Sequence, residues 1–197
     1  MVSEPRESRE VVVNTARFED STEYHFDPHV TWVDVGGTVT WMLESGTHTA
    51  TAYHPGNDQP RLVPEGTEAW DSGMMSAEGE TFKHTFETEG VYNYLCKPHE
   101  QFGMIATVIV GNPHPEDQRA LQVMPDNKPE EVHAKLRELN TMAREIMGDG
   151  HHEGDDHHEE GTTTEDDHHE EEEDGHHEEE TKTETDHHHE EETHTEG

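Results

Sequence analysis

Val91-Tyr-Asn-Tyr-Leu-Cys96-Lys-Pro-His99-Glu-Gln-Phe-Gly-Met104 is the stretch on which the reading of this chain turns. It opens within a β-rich segment, Gly90–Cys96, breaks at Lys97-Pro98, and runs into another, Ile105–Val110. Between them stand a thiol, an imidazole and a thioether in the order C-x2-H-x4-M. These are soft donors that suit copper, above all a site that must accept both of its common oxidation states. A strand–loop–strand corner can point all three side chains at one spot, but a plane of two imidazoles and one thiolate still lacks a ring. His48, at the end of the third expected strand and the start of the fourth, is the natural donor, because the loops of a sandwich gather at its ends. His54, in a loop ahead of Pro55, and His84, in mid-strand where a solvent-facing residue is expected, are the alternatives.

Working outward, short β-rich segments are broken by turn signals, with no helical period before residue 125. The expected strands are Val11–Phe18, Val30–Val35, Thr38–Leu43, Thr47–Tyr53, Thr81–Thr85, Gly90–Cys96 and Ile105–Val110, with Gly36-Gly37 as a tight turn. Each mixes an apolar face with Thr, Asp or Glu, the pattern of a sandwich with one wet face per sheet. Residues 54–80 form a long Gly/Pro-rich connection that Leu62, Trp70, Met74 and Met75 can pack down. The fold class expected is therefore all-β, a Greek-key sandwich over residues 11–111 after a polar arm at 1–10.

The runs Val39-Thr-Trp41, Gly46-Thr-His48-Thr, Gly79-Glu-Thr-Phe82, Gly90-Val-Tyr92-Asn-Tyr94-Leu-Cys96-Lys-Pro-His99 and Gly103-Met104 resemble the cupredoxins. Within them the likeness is to the plastocyanin, pseudoazurin and halocyanin branch. The resemblance implies a type 1 (blue) copper site, with His48, Cys96 and His99 as equatorial ligands and Met104 as the weak axial one. It also implies a carrier of single electrons between larger redox partners that dock transiently, with His99 as the electron port and Pro98 and Phe102 as its apolar rim. Where plastocyanins often have Asn after the first histidine, Thr49 stands here, its hydroxyl a candidate to fix the loop. Multicopper oxidases flank the cysteine with histidines; here the flanks are Leu95 and Lys97, so an enzyme is not expected. The other readings of the motif fit less well. A structural zinc site prefers more cysteines, and a Cys–His nucleophile leaves Pro98 and Met104 without a role.

Composition divides the chain. Residues 148–197 hold 23 Asp/Glu, one Lys, 12 His and no hydrophobic residue. Residues 1–147 carry all the hydrophobic residues, with 25 Asp/Glu against eleven Lys/Arg, a formal charge of −14. The first part can build one core; the second cannot and is expected to be a disordered tail. So negative a chain is not a nucleic-acid binder, and no apolar run approaches a membrane span. The acidity of residues 1–147 suits a salt-adapted host, because molar salt shortens the Debye length to about 3 Å; an acidic docking surface is the alternative. Cys96, the one cysteine, has no intrachain disulfide partner.

Residues 112–128 read as a polar linker and 129–147 as an amphipathic helix, with Val132, Leu136, Leu139, Ala143 and Ile146 on one face. That helix either lies on the sandwich of a monomer or pairs with a second copy as a dimer. The histidines of the tail, in four pairs, one triplet and His194 alone, always among carboxylates, suit additional Cu, Ni or Zn. A copper-buffering or delivery protein is thus the alternative function. The resemblance implies a place outside the cytoplasm, although no signal peptide or lipid-attachment cysteine is visible.

Overall fold

A computed structural model describes residues 4–17 and 21–149; the expectations for the tail from residue 150 onward lie outside the described residues. Eight strands follow in chain order: β1 (Ser8–Arg17), β2 (Thr22–Asp27), β3 (Val30–Val33), β4 (Gly37–Leu43), β5 (Thr51–Ala52), β6 (Thr81–Phe86), β7 (Gly90–Leu95) and β8 (Ile105–Val110). They form two four-stranded sheets, ordered β2-β1-β4-β6 and β3-β8-β7-β5. The fold is the expected β-sandwich. Alternation at period two builds the first sheet: in β4, Val39, Trp41 and Leu43 are buried while Thr38, Thr40 and Met42 are half-buried on the other face.

The second sheet departs from the expectation of one wet face. Every residue of β3, β7 and β8 is buried. Two helices, α1 (Arg119–Gln122) and α2 (Glu130–Asp149), follow the last strand and cover its outer face. Val132, Leu136, Leu139, Ala143 and Met147 of α2 join Val30, Trp32, Val91, Leu95, Ile105 and Ile109 in a second core. Of the two readings of the amphipathic helix, the structure takes the one in which it lies on the sandwich. Met147, fully buried, closes its apolar face more completely than half-buried Ile146. Residues 112–128, read as a linker, are folded onto the protein, with Ala120 and Leu121 of α1 in this same core. Asn93 and Thr107 face outward beneath α1, where the Thr107 hydroxyl donates to Asn93 Oδ1 at 2.7 Å and Asn93 Nδ2 donates to the Ala120 carbonyl at 3.4 Å.

Other differences are local. Strand β2 was not expected, because EYHFD offers only two apolar residues. It forms by pairing antiparallel with β1, Val13 opposite Phe26 and Thr15 opposite Tyr24. Strand β1 begins at Ser8, inside the supposed polar arm, since its parallel ladder with β4 needs only backbone partners. The expected strand Thr47–Tyr53 shrinks to β5, and His48 instead forms an isolated bridge to Met75. In the 54–80 connection Leu62, Trp70 and Met75 are buried as expected, but Met74 is 56% exposed. His84 does not face solvent: it points inward with Phe82 and Phe86 and stacks on Trp70 at 5.3 Å.

Candidate metal centre

One end of the sandwich gathers the expected donors. His48 is brought there by the bridge to Met75, in which each backbone N–H donates to the other's carbonyl, at 3.1 and 2.9 Å. Cys96 follows β7 and pairs across the corner, its N–H donating to the Met104 carbonyl at 3.0 Å. His99 precedes a short 3-10 turn, Glu100–Phe102, and Gly103 closes that turn with a left-handed φ of 78° before β8 begins. The loop therefore starts and ends on adjacent strands of one sheet.

Two ring nitrogens and one sulfur converge. His48 Nδ1 and His99 Nδ1 lie 3.5 and 3.3 Å from Cys96 Sγ and 3.1 Å from each other. Among the described residues this is the one group of three His, Cys, Asp or Glu side chains close enough to share a metal ion. His54 and His84 are not part of it: His54 Nδ1 accepts the Gly56 N–H at 2.9 Å, and His84 is on Trp70. Met104 is fully buried in the same core cluster as Cys96.

The surroundings hold these groups in place. Burial, then the charge of His99, lowers the His48 pKa to about 4, so its ring is neutral near pH 7 and free to ligate. Burial raises the Cys96 thiol above the ordinary thiol range, so binding a metal ion there releases its proton. The Thr49 N–H points at Cys96 Sγ from 3.4 Å, and the Thr49 hydroxyl accepts the Lys97 N–H at 2.9 Å. The residue after the first histidine thus joins the two ligand-bearing loops. No carboxylate of the described residues joins the group. Neutral imidazoles around one thiol form a soft donor set that fits copper rather than magnesium or calcium, and the buried Met104 stands just before β8.

Two further residues, unmarked in the sequence, touch the rings. Thr15 Oγ1 of β1 lies 2.7 Å from His48 Nε2, fixing the outer edge of that imidazole. Tyr24 of β2 stacks on His99, centroids 3.9 Å apart and planes 9° apart. Thr15 is one of many threonines, and Tyr24 sits in the polar run that concealed β2. Phe102 is 58% exposed with its ring 5.5 Å from that of Tyr24, and Pro98 is exposed, so these two put apolar surface beside half-buried His99.

The family model for copper binding proteins of the plastocyanin/azurin family matches residues 13–111. The halocyanin of Natronomonas pharaonis is 38% identical over 103 residues, 51% of this chain and 56% of its own length. The chain thus spans little more than half of that relative. The plastocyanin of Scenedesmus fuscus is 32% identical over 94 residues, 46% of this chain and 91% of that protein. Native pseudoazurin from Hyphomicrobium denitrificans shares the fold, with a TM-score of 0.50 at 21% identity over 66% of this chain and 97% of its own.

Proposed function

The chain belongs to the plastocyanin/azurin family of copper binding proteins, and from that membership we propose that it is a carrier of single electrons between larger redox proteins. The site takes one copper ion, with His48, Cys96 and His99 as its principal donors and Met104 as a fourth, weaker one. When bound, copper supplies a one-electron couple between Cu(I) and Cu(II). The observation that carries the reading is the convergence of two Nδ1 atoms on one buried sulfur.

The protein's own part is to keep those donors still. Cys96 and His48 are fully buried, and each is tied to a neighbouring segment, Cys96 to Thr49 and His48 to Thr15. Ligands that keep their places in both oxidation states suit rapid exchange. His99 is the one donor of the three that is not fully buried, so electrons enter and leave at its edge, between Tyr24 and Phe102. The apolar skirt of Pro98 and Phe102 suits a brief, weak encounter with a partner. We read the chain as a carrier rather than an enzyme, working outside the cytoplasm as the family resemblance implies.

Titration of the full chain with Cu(II) tests this. The expected result is an intense visible thiolate-to-copper band that saturates at one copper, bleaches reversibly on reduction and is absent from Cys96→Ser. Weak bands alone, with no reversible bleaching, would sink the electron-carrier reading.

A further inference from the structure

Immediately after His99, the carboxylate of Glu100 is drawn inward rather than left in water. Its side chain is 17% exposed, and Oε1 accepts hydrogen bonds from the Tyr53 hydroxyl at 2.7 Å and from Lys128 Nζ at 2.6 Å. Lys128, also 17% exposed, donates to Gln59 Oε1 at 2.8 Å, and its ammonium lies 5.7 Å from the centre of the Tyr53 ring. Tyr53 is fully buried and follows β5, whose Thr51 pairs with Leu95 one residue before Cys96. Three stretches distant in sequence therefore meet in one knot: the end of β5 with its following loop, the ligand loop, and the residues leading into α2. The far end of the ligand loop rests on the same helix. A Cβ on Gly103 would lie 3.7 Å from both the Glu131 carbonyl oxygen and Lys135 Cβ.

An ion pair withdrawn from water is a poor source of stability, because desolvation cancels much of the attraction. In residues 1–147 only eleven Lys and Arg accompany 25 Asp and Glu. Committing one of those cations to a covered place beside a metal-binding histidine calls for another reason. The best-attested use of such a pair is to fix register and orientation. We propose that Glu100 and Lys128, with Tyr53, are positioning residues that hold the His99 turn in its ligating arrangement before copper arrives. This deepens the electron-carrier reading and rests on it. It also gives the segment beyond β8 a part in the metal centre.

The test uses the full chain with Lys128→Met, Lys128→Arg and Glu100→Gln, compared with the unaltered protein. Two quantities are read: amide hydrogen exchange at residues 96–104 without metal, and the rate at which the loaded protein loses copper to a chelator. Lys128→Met is expected to speed copper loss by about tenfold or more and to raise exchange at residues 99–102, with Lys128→Arg recovering most of both. Glu100→Gln keeps an acceptor for both donors without the buried charge; it should fall between, and it decides the matter alone if Lys128→Met does not fold. Should the variants lower only the unfolding midpoint, with copper loss, loop exchange and the blue band unchanged, the knot is mere packing and the proposal is overturned. Absence of the blue band from the unaltered chain would instead overturn the electron-carrier reading, so the two failures are distinct.

Discussion

His48 owes its orientation to a threonine on another strand and to a glycine that leaves room for the contact. Gly46 has a φ of +86°, and a Cβ there would lie 2.3 Å from Thr15 Oγ1 and 2.6 Å from His48 Nε2. Alanine at this position would therefore be strained and would push the two groups apart. Both Gly46→Ala and Thr15→Val should weaken copper binding by about 10–100-fold, read by competition with a chelator, while the circular dichroism of the sheets stays unchanged. His48 also makes the metal-free protein sensitive to acid. Its pKa in the fold is about 4 against an ordinary 6.5, so the unfolded chain takes up the proton more readily. Its contribution to stability is complete above 6.5 and is lost as the pH falls through about 4, a loss of up to about 3 kcal/mol. Urea unfolding of the metal-free chain across that range should show the decline, and His48→Gln should flatten it.

At the scale of elements, the outer face of the second sheet depends on α2. Leu136 and Leu139 are buried against it at 1% and 0% exposure, so Leu136→Ala should cost about 2–5 kcal/mol in urea unfolding, whereas Arg137→Ala, beside it and exposed, should cost far less. The helix could be read in advance because its apolar residues recur at helical spacing and glutamates open it. Strands β4, β7 and β8 were equally plain from their composition. What the sequence concealed were contacts that leave no local pattern. A parallel pairing such as β1 with β4 needs no particular side chains, and β2 is a strand because β1 lies beside it. The Cys96–His99–Met104 loop was readable because its spacing is chemically unusual. Thr15, Tyr24 and the Tyr53–Glu100–Lys128 knot were not, since each matters only through a residue far away in the chain.

Over the whole molecule, charge and function are unevenly divided. Eight histidines lie in residues 1–147 and twelve in residues 148–197, the latter among 23 carboxylates. The full chain is therefore expected to bind Cu(II), Ni(II) or Zn(II) beyond the single site, and a chain ending at Asp149 to bind one copper only, as equilibrium dialysis would measure. Site-bound copper should give the same spectrum in both. The residues that meet at the metal centre, with those proposed above to support it, are spread along nearly all the described sequence: Thr15 and Tyr24 near the start, His48 and Tyr53 in the middle, Cys96 and His99 later, and Lys128 beyond the last strand. A ribosome delivers these parts in order, and the N-terminal strands wait for partners not yet synthesised. Copper capture at this centre therefore waits until most of the described sequence has been made, and a nascent chain halted before Cys96 offers an incoming ion an unfinished cradle.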